Sequence, residues 1–96
     1  MGLSKRVTLA NGVQTNYHRI RTIMHDVGNK TLVDVVSYTS RARRDDELAS
    51  GGQQEMCVHV EWHEHDYDDA LTVADAYEWL KTTPTFEGAT DVLEAE

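Results

Sequence analysis

A β-hairpin near the N-terminus is the feature that most restricts how this 96-residue chain can fold. Residues 7–17 read VTLANGVQTNY, and a β-rich run that is interrupted by Asn-Gly and then resumes is the strongest local signal for a hairpin. A two-residue loop would mix apolar and polar partners on one face. A three-residue loop with Gly12 in the left-handed conformation pairs Leu9 with Val13 and keeps one face apolar, so we predict this second register.

The second strand of the hairpin is predicted to be long and bent. The chosen register sets Val7 opposite Thr15 and Lys5 opposite Tyr17. Further along this strand the apolar positions change from odd-numbered to even-numbered. One extra residue in a strand produces such a change and also bends it, so we predict a β-bulge near residues 18–19. A strand that passes from one neighbour to another, with both faces partly covered, is the alternative.

Two further strands follow the hairpin. Residues 32–39 carry apolar side chains on both faces, which is typical of a central strand covered on two sides or of a strand at a contact between subunits. Residues 55–65 alternate cleanly, so their side chains form two rows on opposite faces. The row that we place against the core contains Met56, Val58, Val60 and Trp62. The row that we place toward solvent or a partner contains Cys57, His59, Glu61, His63 and His65.

A short helix is predicted at about residues 73–81, with Thr72 as its N-cap and Pro84 just beyond its end. Its apolar stripe consists of Val73, Ala76, Tyr77 and Leu80. Trp79 lies off this stripe, which leaves it either beneath the C-terminal tail or on a partner. Residues 41–54 lose the β pattern, and we expect the most mobile part of the chain there, with room for one or two helical turns.

The predicted architecture is a single, mainly β domain at the border of α+β. A four-stranded antiparallel meander over about residues 5–65 starts with the long hairpin and is followed by the short C-terminal helix at about 73–81 and a tail over 84–96. Contacts between subunits are expected to use seven apolar or aromatic side chains. These are Val33, Val35, Tyr38, Trp62, Tyr77, Trp79 and Phe86.

The charge of the chain is strongly asymmetric. Residues 1–44 hold eight Lys or Arg against two Asp, a balance of +6, whereas residues 45–96 hold one Lys against fifteen acids, a balance of −14, which gives the net charge of −8. This acidic total argues against nucleic acid as a partner. The two halves either neutralise each other within one fold or pair head-to-tail between copies of the chain.

The chain carries no sequence signal for secretion or for a membrane. Cys57 is the single cysteine, so no disulfide can form within the chain and a reducing compartment fits. No apolar run approaches the roughly 20 residues of a membrane span, and the N-terminus lacks a signal-peptide core. We therefore expect a soluble protein that is synthesised in the cytoplasm and has no membrane partner.

The histidine row is the one cluster that suggests metal chemistry. His59, His63 and His65 are predicted on one face of a strand, and His-x-His is a spacing that zinc and nickel sites use. Alternate residues on a strand lie about 7 Å apart, so the whole row cannot bind one ion. A solvated polar face is therefore the preferred interpretation, and a metal site or a pH-sensitive interface are the alternatives.

No pattern of catalytic residues is convincing. Cys57 alternates with apolar residues on a predicted strand, without a helix N-terminus or an evident base, and a small packed side chain is the better interpretation. The chain also lacks a phosphate-binding glycine loop, a serine elbow and a pair of carboxylates in an apolar setting. We therefore predict a protein that is not an enzyme and needs no cofactor.

Three short stretches together resemble small structural proteins encoded among the tail and virion genes of tailed bacteriophages and prophages. They are LANGV with YHRI within residues 9–20, VSYTSR at residues 36–41, and AYEWLKT with PxFxGA within residues 76–89. The resemblance implies a virion component that is synthesised in the host cytoplasm and contacts itself and other virion proteins repeatedly in a symmetric assembly. It implies no site residues.

The function favoured by these observations is a non-enzymatic structural or assembly protein of a phage tail, baseplate or head, acting as a homo-oligomer. The first alternative is a small binding module that uses His59, His63 and His65 for zinc or nickel. A regulatory or anti-host protein of phage origin is the second alternative.

Overall fold

The computed structural model describes residues 2–51 and 55–92. Within these ranges it contains one antiparallel sheet of five strands in the order β4-β3-β2-β1-β5 and two helices. In chain order the elements are β1 (Gly2–Thr8), β2 (Gln14–His25), β3 (Lys30–Tyr38), α1 (Arg41–Ala49), β4 (His59–Asp66), α2 (Val73–Leu80) and β5 (Thr90–Val92). The mainly β class is therefore confirmed, with one strand and one helix more than predicted.

The hairpin loop has the predicted three-residue geometry. The Leu9 N–H donates to the Val13 carbonyl at 2.8 Å, and the Gly12 N–H donates to the Leu9 carbonyl at 2.9 Å. Gly12 has φ of +87°, in the region that favours glycine. The Asn11 side-chain oxygen also accepts from the Val13 N–H at 3.1 Å. The turn chemistry of the sequence thus fixes the loop.

Two bulges interrupt the register of the hairpin strands. Ser4, and not Lys5, lies opposite Tyr17, because β1 holds an extra residue between Ser4 and Val7. The predicted Lys5–Tyr17 pairing is therefore wrong, although Val7 does lie opposite Thr15. In β2, which is long as predicted, the register shifts between Ile20 and Thr22, slightly beyond the predicted position.

The bulge in β2 decides which side chains face the core. Ile20 lies opposite Val35, and Ile23 lies opposite Val33. Directly opposed residues share a face of an antiparallel sheet, so the two isoleucines project to the same side although an uninterrupted strand would separate them. Both pack against the core that α2 covers. We call this side of the sheet the helix face and the other side the open face.

β3 is covered on both faces, as its sequence predicts. On the helix face, Val33 and Val35 belong to a buried cluster with Leu3, Ala76, Tyr77, Leu80 and Phe86. On the open face, Val36 and Tyr38 form a smaller buried cluster with Tyr17. Met56 and Cys57 lie partly buried against this second cluster.

Helix α2 begins at the predicted cap. The Thr72 side-chain oxygen accepts a hydrogen bond from the Asp75 N–H at 3.1 Å, which satisfies one of the free donors at the helix start. Val73 is 51% exposed and is not part of the buried stripe, which contains Ala76, Tyr77 and Leu80. The prediction for Val73 is wrong because the first turn of α2 extends beyond the sheet's buried cluster.

Strand β4 has the opposite orientation to the predicted one. Glu61 lies opposite Val35 and His63 lies opposite Val33, so the histidine row is on the helix face. Val60 and Trp62 are on the open face, where they are 44% and 46% exposed. Their predicted burial is wrong, because the His63 and His65 rings are the ones that pack on aromatic side chains of the helix face, on Phe86 and on Trp79 of α2. Val58, which precedes the strand, is also exposed.

Candidate functional site: the outer edge of the sheet

Strand β4 is the long edge of the sheet. It pairs with β3 from Ser37 opposite His59 to Lys30 opposite Asp66. Within residues 2–51 and 55–92, no strand pairs with its other side. A strand in this position presents unpaired N–H and C=O groups to any other chain that approaches it.

An apolar patch lies on the open face beside this edge. Trp62 and Val60 provide it on β4, and Leu32 and Met24, which lie opposite each other on β3 and β2, are on the same face, where Leu32 lies opposite Glu64. Met24 is 46% exposed and Leu32 is partly buried. We call these four residues the edge surface. Exposed apolar side chains grouped at an unpaired strand are typical of a protein–protein contact.

The edge surface lies beside an ion pair between a buried carboxylate and a partly exposed guanidinium. Asp34, which is almost fully buried, lies opposite Trp62 across the β3–β4 ladder. Its Oδ2 atom accepts from Arg21 Nε at 2.8 Å, and this bond raises the pKa of Arg21. Its Oδ1 atom is buried and has no hydrogen-bond partner among the described residues. Trp62 is therefore the ladder partner of a buried carboxylate whose bonding capacity is only partly used.

Most of the predicted interface side chains lie inside the chain. Five of the seven are at most 3% exposed and form the two cores, namely Val33, Val35, Tyr38, Tyr77 and Phe86. Trp79 is partly buried, and its ring meets the His65 ring edge-on with centroids 4.8 Å apart. Residues 93–96 of the predicted tail lie outside the described ranges, and residues 90–92 form β5. Of the seven, Trp62 is the one that is largely exposed.

The three histidines of the predicted metal site have different surroundings. The His63 side chain is 11% exposed and packs on Phe86, with ring centroids 5.5 Å apart. Burial lowers the pKa of His63, against the opposing effect of the Glu61 carboxylate. His65 Nδ1 lies 2.6 Å from the Asp66 carbonyl oxygen. His59 lies closer to Glu61 than either of the others does.

Glu61 is the group that two of these histidines share. Its Oε2 atom is 3.4 Å from His59 Nε2, and its Oε1 atom is 4.0 Å from His63 Nε2. His65 is directed to Asp66 and Trp79 instead. Among the described residues no group of three or more His, Cys, Asp or Glu side chains is arranged to hold a metal ion. The sequence therefore brings His59 and His63 to one carboxylate and leaves His65 apart.

A buried carboxylate organises the opposite part of the open face. Glu47 of α1 accepts from Arg44 at 2.6 Å, from the Tyr38 hydroxyl at 2.8 Å and from the Met56 N–H at 3.0 Å, and it lies 3.3 Å from Arg19. Burial alone would raise the pKa of Glu47, but these hydrogen bonds outweigh burial and hold it below the ordinary value. Basic residues of the first half thus pair with an acid of the second half inside one chain.

The cavity beside this cluster has a volume of about 170 Å³ and is lined by its guanidinium groups and by Cys57. Burial raises the pKa of the Cys57 thiol, and the nearby Glu55 carboxylate adds to this effect. A thiol in this state is a poor nucleophile. The sequence-based interpretation of Cys57 as a packed side chain agrees with this environment.

Comparisons of the chain with protein-family models, with curated proteins and with solved structures find no match. Among the described residues, no helix has the length and apolar character needed to cross a membrane. The function must therefore be argued from the residues of the site.

Proposed function

We propose that this protein is a non-enzymatic assembly protein that forms homo-oligomers through the edge surface. The observation that carries the proposal is the exposure of Val60 and Trp62 on the outermost long strand of an open sheet. Full burial of such a side chain contributes about 1.5–3 kcal/mol, so covering the exposed half of each contributes about 1 kcal/mol. The burial of this patch on two copies, together with the hydrogen bonds between the two added strands, supplies the free energy for a weak, reversible contact.

We further propose that the assembly belongs to a phage virion, as a component of its tail, baseplate or head. This part rests on the resemblance of the three stretches within residues 9–20, 36–41 and 76–89 to virion proteins. A sheet edge that pairs with another chain suits a particle built from repeated copies, since each copy then covers the edge of a neighbour.

Sedimentation analysis of the purified chain over a hundredfold range of concentration tests the assembly. The expected result is a mass that rises from one chain to a defined multiple of it. A single-chain mass at every concentration rejects homo-oligomerisation. Detection of the chain at stoichiometric level in purified particles tests the virion assignment, and its absence from intact particles rejects that part.

A metal-binding module is the second candidate, and the position of Glu61 between His59 and His63 favours it. In this form the ligands are His59, Glu61 and His63, with no role for His65; these three side chains are not arranged around one position in the structure, so binding requires that they turn toward the ion. Titration calorimetry with zinc or nickel is expected to show one ion per chain, and His59→Ala is expected to abolish it. His25→Ala on β2 is the control. Equal binding by the His59→Ala variant and the wild type rejects the site.

A further inference from the structure

We propose that two copies of the chain pair along β4 in antiparallel orientation, with Trp62 of one copy directly opposite Trp62 of the other. The two five-stranded sheets then join into one continuous sheet of ten strands. This inference rests on the proposed function and makes it specific, because it names the partner, the strand and the register.

The edge formed by β4 is a good template for such pairing. All eight residues of β4, HVEWHEHD, pair with β3 without a register shift. The strand is therefore extended and free of bulges in the single chain. Natural edges are commonly blocked by lysine, proline or a bulge, and β4 contains neither lysine nor proline. Within residues 55–92, the strand at the other edge, β5, has three residues and offers a shorter ladder.

Symmetry limits the registers that are possible. Two identical antiparallel edge strands are related by a twofold axis perpendicular to the sheet, so residues of the same face lie opposite each other. One residue of β4 must therefore lie directly opposite its own copy across the axis. We call this residue the axis position. The axis positions that pair at least five residues within β4 are Glu61, Trp62, His63 and Glu64.

The charges of β4 exclude two of these positions, and the meeting of the two indoles favours Trp62 over His63. An axis at Glu61 sets its carboxylate against the same carboxylate of the second copy, which is destabilising. An axis at His63 sets Trp62 opposite Glu64 and separates the two indoles, and an axis at Glu64 repeats the conflict of like charges. With the axis at Trp62, the two indoles meet on the open face and Glu61 lies opposite His63 of the second copy on the helix face.

The remaining pairs in this register are compatible with it. Val60 lies opposite Glu64 of the second copy, and His59 lies opposite His65. Aromatic pairs across strands contribute beyond their buried area. Arg21 and Asp34 lie inward of Trp62 and already form an ion pair. Covering them with the two indoles therefore leaves neither charge unpaired.

Substitution of Trp62 tests the surface. Trp62→Lys is expected to weaken dimerisation at least tenfold in sedimentation equilibrium, because a lysine on an edge strand opposes pairing. Val73→Lys on α2 is the matched control, since Val73 is exposed to a similar extent and is not part of the β4 strand. Circular dichroism of both variants checks that the sheet is retained. A wild-type dimer that Trp62→Lys does not weaken overturns this inference and leaves homo-oligomerisation standing.

Cross-linking tests the register and needs no change at Trp62. In a Cys57→Ser background, a mixture of the Val60→Cys and Glu64→Cys chains is expected to form a heterodimeric disulfide on mild oxidation. Directly opposed residues have Cα atoms about 4.5–5.5 Å apart, within the range that a disulfide spans. Val60→Cys alone is expected to form no disulfide, because the two cysteines would lie about 13 Å apart along the strands. A Val60→Cys homodimer disulfide overturns the register, and a monomeric wild type rejects the proposed function itself.

Discussion

The hydroxyl of Tyr38 donates to the carboxylate of Glu47 across 2.8 Å, and this bond joins the end of β3 to the one buried residue of helix α1. The helix is otherwise polar, and its single leucine, Leu48, is exposed. Apolar packing therefore contributes little to holding α1 on the sheet. The position of the helix depends on one charged group and its donors.

Glu47→Gln is expected to destabilise the fold by about 2–3 kcal/mol, because it leaves Arg44 and Arg19 without their buried counter-charge. Urea unfolding followed by circular dichroism measures the change. Asp46→Asn is the matched control on the same helix, since Asp46 makes a surface pair with Arg43 at 3.6 Å, and such pairs contribute well under about 1 kcal/mol. Equal stability of the two variants would show that α1 is held by other contacts.

The stability of the fold is expected to fall as the pH is lowered from 7 toward 5. Burial lowers the pKa of His18 and His63 in the folded chain, so the unfolded chain takes up protons at a higher pH than the folded chain does. Their contribution is complete above the ordinary histidine pKa of about 6.5 and is lost as the pH falls toward the lowered values. Urea midpoints at several pH values give the slope. His63→Gln should flatten it, and an unchanged slope would assign the effect to other groups.

Gly12→Ala is expected to destabilise the hairpin by about 1 kcal/mol. An added Cβ at Gly12 meets nothing within 4 Å, and φ is +87°, so the whole cost arises from placing an L-residue in the left-handed region. Gly12→Asn should cost less, because asparagine tolerates this conformation better. Thermal unfolding of the two variants provides the comparison. If both lose the same stability, the loop does not depend on its left-handed residue.

Gly2→Ala is expected to be more damaging, although Gly2 lies in an extended strand. A Cβ there would stand 2.5 Å from the Tyr17 hydroxyl and 2.6 Å from the ring, so the buried ring must move at a cost of about 1–3 kcal/mol.

Two changes at Tyr17 test this contact. The Tyr17 hydroxyl is buried without a partner among the described residues, so Tyr17→Phe should leave stability unchanged or raise it. Tyr17→Ala removes the ring atoms that the added Cβ would meet, and in this background Gly2→Ala should be less harmful than in the wild type. An equal loss in the wild type and in the Tyr17→Ala background would contradict the proposed contact.

The features that the sequence predicted correctly depend on local chemistry. The three-residue loop follows from Gly12 and its neighbours, and the start of α2 follows from the side chain of Thr72. Both need only groups a few residues apart. Strand β5 gave no such signal, because three residues are too few to show alternation.

The orientation of β4 could not be read in this way. Alternation shows which residues share a face but not which face is covered. Here His63 and His65 lie against Phe86 and Trp79, and imidazole rings served as packing surface where apolar side chains were expected. Helix α1 was predicted only as room for one or two helical turns within residues 41–54, since its anchor Glu47 bonds to residues that are distant in sequence or follow a loop. A pattern of apolar residues does not reveal such polar contacts.

The pairing of Gly2 with Val92 brings the first and last described strands side by side at the edge remote from β4. A group attached beside Gly2 or Val92 would therefore stand on the far border of the sheet and leave the β4 border accessible. The same neighbourhood would allow a short linker to join Val92 to Gly2 in a circularly permuted chain, with new ends opened in the exposed turn at Val27. A permuted chain would then present its new ends at the tip of the β2–β3 hairpin.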